Sequence, residues 1–134
     1  MTTNAEKAAL INRLALGCMF IAHGLLKLVV FSLPEAANFF ESVGFPGWTA
    51  YLVTFGEIIG GAAIVLGVRT RLFVAALLPV LLGTIYVHSG NGWLFNAPNG
   101  GWEYSAMLVV VSIVQLLLGD GSFALAPERK NSLA

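Results

Sequence analysis

The sequence predicts an all-α integral membrane protein, a four-helix bundle with both termini in the cytoplasm. Three observations predict it. Of 134 residues, 57% are hydrophobic and only 10% charged, against about 25% charged in an ordinary soluble domain. Such a chain cannot cover a water-facing surface, and lipid is its natural solvent. The apolar residues gather into four segments, about 8–31, 49–68, 71–88 and 103–118, on the scale of the roughly 20 helical residues, range about 17–25, that a hydrocarbon core requires. Positive charge falls on one side: Lys7, Arg13, Arg69, Arg71, Arg129 and Lys130 lie with the termini and the middle loop, whereas loops 32–48 and 89–102 contain no Lys or Arg. Cytoplasmic loops carry the excess of Lys and Arg, so the loop pair lacking them faces outward. The chain reads as one transmembrane domain, 1–134.

Each element follows from local pattern. The tail Met1–Lys7 is polar and reads as mobile. Ala15-Leu16-Gly17-Cys18 loosely resembles a lipoprotein cleavage site, but Arg13 interrupts the apolar run before it, where a cleaved signal wants a complete apolar region; the segment reads as a retained span. Cys18, the single cysteine, has no internal disulfide partner and reads as inert packing. Ser32-Leu33-Pro34-Glu35 has the spacing of a capping box with proline in the first turn. A short helix through Glu41 then ends near Gly44 and lies on the membrane through Phe39, Phe40 and Val43. Gly56 and Gly60 have the small-xxx-small spacing that lets helices approach closely. The connection Arg69-Thr70-Arg71 is short enough to force an antiparallel hairpin, with Arg13, Arg69 and Arg71 expected on lipid phosphates. Pro79 interrupts the hydrogen-bond ladder of the third span. Asn-Gly turns punctuate the last loop. Trp48, Trp93, Trp102, Tyr51 and Tyr104 form an aromatic belt on the outer side. Ser112 and Gln115 read as interhelical hydrogen-bonding groups, and Ala126–Ala134 as a second mobile tail.

Intramembrane polar groups are the candidates for function, because a charge at mid-membrane costs about 2.5–3.5 kcal/mol even on translocon scales. At 1.5 Å rise per residue, His23 and Glu57 both lie about 12 Å below the outer surface, and Lys27 about 6 Å below it. His23 and Lys27, four residues apart, share a helix face. These three are expected to form a paired cluster in the outer half of the bundle, with His88 and Glu103 at its rim. Each has a plainer reading too. Lys27 is near enough to the surface to snorkel, a lone histidine in a span serves as a helix–helix hydrogen bond, and His88 and Glu103 can be simply solvated. No metal site is read from the sequence. Zero net charge argues against nucleic acid, which needs a basic stripe.

In order along the chain, "RLALGCMFIAHGLLKL", "FFESVGFPGWTAYLVTFGEIIGGAAIVLGVRTRL", "VHSGNGW" and "GGWEY" resemble the DoxX family of small bacterial membrane proteins over roughly Arg13 to Phe123. The motif residues are His23, Lys27, Glu57, Arg69, Arg71, His88, Asn91, Trp102 and Glu103. The resemblance implies a four-helix inner-membrane protein. Some related proteins are subunits of thiosulfate:quinone oxidoreductase, and others join membrane complexes that handle thiols or oxidative stress.

The first function expected is therefore a redox-associated membrane subunit that binds a quinone or quinol. His23, Glu57 and Lys27 would carry proton transfer and charge stabilisation, and His23, Glu57, His88, Trp102 and Glu103 would hold the ring. No haem, flavin, iron–sulfur or CxxC ligand set is visible in the sequence, so electrons would come from a partner redox subunit or a soluble thiol or sulfur donor. The alternative is a non-catalytic scaffold or assembly partner for a peripheral oxidoreductase, with the Trp93–Trp102 loop as its contact. A small carrier or proton-relay protein comes third, since four spans without inverted repeats fit it poorly.

Overall fold

A computed structural model describes residues 1–128 of the chain; Arg129 and Lys130, counted above toward the cytoplasmic charge, lie outside the described residues. Helix α1 (Asn4–Leu25) continues as a π-helical turn over Leu26–Val30. It is followed by α2 (Leu33–Ser42), α3 (Trp48–Leu66), α4 (Thr70–His88), a 3₁₀ turn (Ser89–Asn91) and α5 (Glu103–Leu118). The fold is all-helical; among the described residues β pairing is confined to one parallel bridge, Val68 with Ala126. Three stretches, Asn4–Val30, Trp48–Leu66 and Thr70–Asn91, are long and apolar enough to cross a membrane, while α5 is apolar but shorter.

α1 packs on α3 and α5, and α4 on α5 and α3, which closes the four long helices into a ring. Burial is inverted relative to a soluble bundle. Arg13, Thr54, Glu57, Ser105, Ser112 and Gln115 are buried, while Ile59, Leu82, Met107 and Leu117 are exposed. That is the distribution a bundle takes when its solvent is hydrocarbon, because inside lipid a polar group finds partners only within the protein.

Glycine sets the closest helix contact. A Cβ at Gly17 would sit 2.7 Å from the Gly61 carbonyl oxygen, one at Gly61 2.8 Å from that of Gly17, and one at Gly24 3.0 Å from that of Thr54. The α1 and α3 backbones therefore approach closely, with Val65 and Ile58 of α3 packed against Gly17 and Gly24. Gly56 and Gly60 face α4 instead, where a Cβ at Gly60 would meet Leu77 at 2.8 Å. The glycine spacing does bring helices together, but the α1 contact runs through Gly61.

Several local expectations change. The N-terminal tail is helical from Asn4, with the Thr3 hydroxyl accepting from the Glu6 amide at 3.2 Å and Glu6 accepting from the Thr3 amide at 2.8 Å. The box expected at Ser32 does not form: Ser32 has φ 72° and its hydroxyl caps nothing. Ser112 donates to Leu108 of its own helix at 2.7 Å rather than across helices, whereas Gln115 does bridge, donating to the Ala9 carbonyl of α1 at 3.2 Å. Cys18 is exposed rather than packed.

Arg13 is the largest revision. It is 2% exposed, so it is not presented to lipid phosphates as expected. Its guanidinium donates to the Asp120 carbonyl, to the Ser122 carbonyl at 2.8 Å and to Val65 at 3.4 Å. Arg71 likewise caps the C-terminus of α5, donating to Leu116 at 2.7 Å. Asp120 accepts from the amides of Thr70 at 2.9 Å and Glu128 at 2.8 Å. The segment after α5 is thus strapped across the helix ends, and Ala126, expected in a mobile tail, pairs with the α3–α4 connection. Burial alone would raise the Asp120 carboxyl, but hydrogen bonds from Thr70 and Glu128, with the nearby Arg71 charge, outweigh it and hold the group below the ordinary carboxylate value.

Two outcomes follow. Gly61→Ala drives a methyl into the Gly17 carbonyl and should lower stability by about 1–3 kcal/mol, whereas Gly83→Ala, where a Cβ meets nothing within 4 Å, should be near neutral; thermal unfolding in detergent compares them. Because the Asp120 pKa is depressed in the fold, its stabilisation is full above the unfolded carboxylate pKa and is lost as pH falls toward the folded one. Unfolding measured down through the acidic range should show that loss in wild type and a smaller one in Asp120→Asn.

Candidate functional site

Between the four long helices and α2 lies a cavity of 1080 Å³, at the upper end of the about 300–1,000 Å³ typical of small-molecule sites. Its lower walls are apolar: Leu16 and Phe20 from α1, Val80 and Leu81 from α4, and Leu108 from α5. Its upper part carries His23 and Lys27, Glu57 from α3, and Thr84 and His88 from α4. Phe39, Phe40 and Val43 of α2, expected on the membrane surface, line the cavity as well.

At the centre is an ion pair. The Lys27 ammonium donates to a Glu57 carboxylate oxygen at 2.5 Å and to the His23 carbonyl of its own helix at 3.1 Å. Glu57 is 5% exposed, so Lys27 turns inward rather than snorkelling. The reason is geometric. Side chains on a helix lean toward its N-terminus. Lys27, near the outer end of α1, leans deeper into the bundle, while Glu57, on the antiparallel α3, leans outward, and the two converge. His23 leans away from Glu57, which is why equal depth did not make them partners. The π-helical turn begins at Leu26, one residue before Lys27, and such turns inside helices are frequent at functional sites.

The two histidines are held alike. His23 donates from Nδ1 to the Met19 carbonyl at 2.7 Å, and His88 from Nδ1 to that of Thr84 at 2.8 Å. A carbonyl only accepts, so each bond places a proton on Nδ1, and Nε2 of each ring makes no hydrogen bond among the described residues. His23 also stacks on Tyr104, with ring centroids 5.8 Å apart. Beside His88, a Cβ on Gly100 would lie 3.6 Å from its Cδ2.

Of the residues singled out in the sequence, His23, Lys27, Glu57 and His88 line one cavity, and Trp102 and Glu103 do not. Trp102 packs edge-on against Trp93 at 4.6 Å. Glu103 accepts from the Phe95 amide at 2.9 Å and borders a separate, smaller groove with Trp93, Tyr104 and Met107. Both side chains are occupied in folding the last outer loop. Asn91 serves that loop too, donating to Gly100 at 2.8 Å. Tyr104, read from sequence only as part of the belt, stands against His23; its position one residue into the fourth span was the available signal. Among the described residues no group of three or more His, Cys, Asp or Glu is placed to hold a metal ion.

The DoxX family model matches residues 8–90, a stretch that contains His23, Lys27, Glu57 and His88. The chain belongs to the DoxX family. Among curated proteins this DoxX chain is similar to "Putative oxidoreductase CatD" of Bacillus subtilis (strain 168), 30% identical over 128 residues, covering 95% of this chain and 90% of that protein. No solved structure matches it.

The buried pair yields a directional test. Glu57→Gln leaves an ammonium facing the cavity without its counter-charge and should cost about 3 kcal/mol, while the double substitution Lys27→Met, Glu57→Met should cost less than either single change. Thermal unfolding of wild type, Glu57→Gln, the two single methionine variants and the double variant gives the comparison.

Proposed function

We propose that this DoxX protein is a redox-associated subunit of a bacterial inner membrane that binds a quinone or quinol in the cavity between its helices. The observation that carries the reading is the arrangement of polar groups around one apolar space: a buried Lys27–Glu57 pair and two imidazoles with free Nε2 atoms. A quinone is a flat apolar ring with an oxygen at each end. It needs an apolar slot, a donor or acceptor at each oxygen, and a route for protons. The oxidoreductase name of the Bacillus relative supports such a role in general.

In this reading Lys27 steadies negative charge on a quinone oxygen, and Glu57 sets the position of Lys27. His23, fixed by Met19 and Tyr104, accepts or returns a proton through Nε2, and histidine is the side chain whose ordinary pKa suits that exchange near neutrality. Reduction of the quinone consumes two electrons and two protons. The electrons come from a partner redox subunit or from a soluble dithiol that is oxidised to a disulfide; the protons enter through the histidines. Trp102 and Glu103 drop out of the ligand set and remain as supports of the loop.

Binding of a short-chain benzoquinone to the protein in nanodiscs tests this reading. Wild type should bind saturably, and His23→Ala and Glu57→Gln should each weaken binding at least about tenfold, about 1.4 kcal/mol, with helical circular dichroism unchanged. Equal, non-saturating uptake by all three would mean partition into lipid and would leave the scaffold alternative in its place.

A further inference from the structure

The cavity has a floor, and the floor is the hydrophobic core. Leu16, Phe20 and Leu81 line the cavity and also belong to the buried cluster completed by Ile64, Val74 and Leu77. All six are at most 5% exposed. Below this layer the long polar side chains are engaged with one another and with the backbone, and the buried hydroxyls of Thr70 and Ser122 have no partner. Asn12 donates to Gln115 at 2.8 Å, Gln115 to Gly119 at 2.8 Å, and Arg13 to Asp120 and Ser122. None of these inner polar residues lines the cavity. At the other end the lining includes His88, with Gly100 beside it, and the exposed residues Asn99 and Glu35.

We infer that the cavity is a blind pocket: water, protons and water-soluble reactants reach it only from the end of the bundle opposite the chain termini, past His88. Proton transfer through an apolar layer needs a chain of polar groups or water, and a water needs polar partners to stay. The groups that face the cavity and can hold a proton are His23, Lys27, Glu57, His88, Tyr104 and Glu35, and all of them stand above the floor. His88 is then the positioning residue at the mouth, holding Nε2 toward the path. One consequence rests on the quinone reading: the two protons of a quinone–quinol interconversion enter or leave on one side, and the protein moves none across the membrane.

Cysteine accessibility tests the inference without any quinone. In a Cys18→Ala background, single cysteines replace Thr84 in the cavity wall and Ser112, buried at the level of the floor. Thr2 and Asn96 serve as reporters of the terminus side and the loop side. A cationic, membrane-impermeant methanethiosulfonate is applied to either face of oriented vesicles. Modification of Thr84→Cys should occur from the face that modifies Asn96→Cys and be lost from the face that modifies Thr2→Cys, and Ser112→Cys should react from neither. Reaction of Thr84→Cys from the terminus side, or from neither side, would overturn the blind pocket. One-sided labelling without saturable quinone binding would leave the pocket standing and remove its proposed ligand, so the two ideas fail separately.

Discussion

An ionised side chain inside a bundle bathed in hydrocarbon must find its partner within the protein, and the Lys27–Glu57 pair is where that requirement shapes this fold most. It joins the π-helical turn that continues α1 to the middle of α3, the two helices whose backbones approach through Gly17, Gly24 and Gly61. The glycines bring the helices together, and that proximity lets a lysine stem span the gap to a carboxylate. Around the pair the remaining helices stand back far enough to leave a cavity rather than a packed core. Below it, Leu16, Phe20, Ile64, Val74, Leu77 and Leu81 close the space completely.

A second polar layer sits near the chain termini and has a different purpose. Arg13, Gln115, Asn12 and Asp120 bind carbonyls and amides at helix ends and hold the strap that follows α5. Its hydrogen bonds are spent on structure, whereas the histidines of the outer layer each retain an unshared ring nitrogen. The bundle thus divides into a structural layer near the termini and a layer at the opposite end with spare donors and acceptors, where the proposed ligand would sit.

Much of this was legible in the sequence. Composition, span length and the one-sided distribution of Lys and Arg point to a helical membrane bundle, and Glu57 in an otherwise apolar span marks the interior-facing site. Helical rise also supplies depth, which groups His23, Lys27 and Glu57. What rise cannot supply is direction. The lean of side chains toward each helix's N-terminus decides that Glu57 meets Lys27 and not His23. Arg13 reads as a headgroup ligand because its partners, Asp120 and Ser122, are more than a hundred residues away. Trp102 and Glu103 sit at the right depth for the rim, but loop closure with Trp93 and Phe95 draws them aside. Tyr104 is hidden among belt aromatics until α5 is placed beside α1.

The central claim is that the Lys27–Glu57 pair faces the ligand space and responds to what enters it. Infrared difference spectroscopy on the reconstituted protein, with and without a short-chain quinol, addresses that claim directly. The account predicts a perturbed carboxylate band on ligand addition, absent when Glu57 is replaced by Gln. A spectrum in which the Glu57 band is unchanged at saturating quinol, or in which the perturbed band survives in the Glu57→Gln protein, would contradict it.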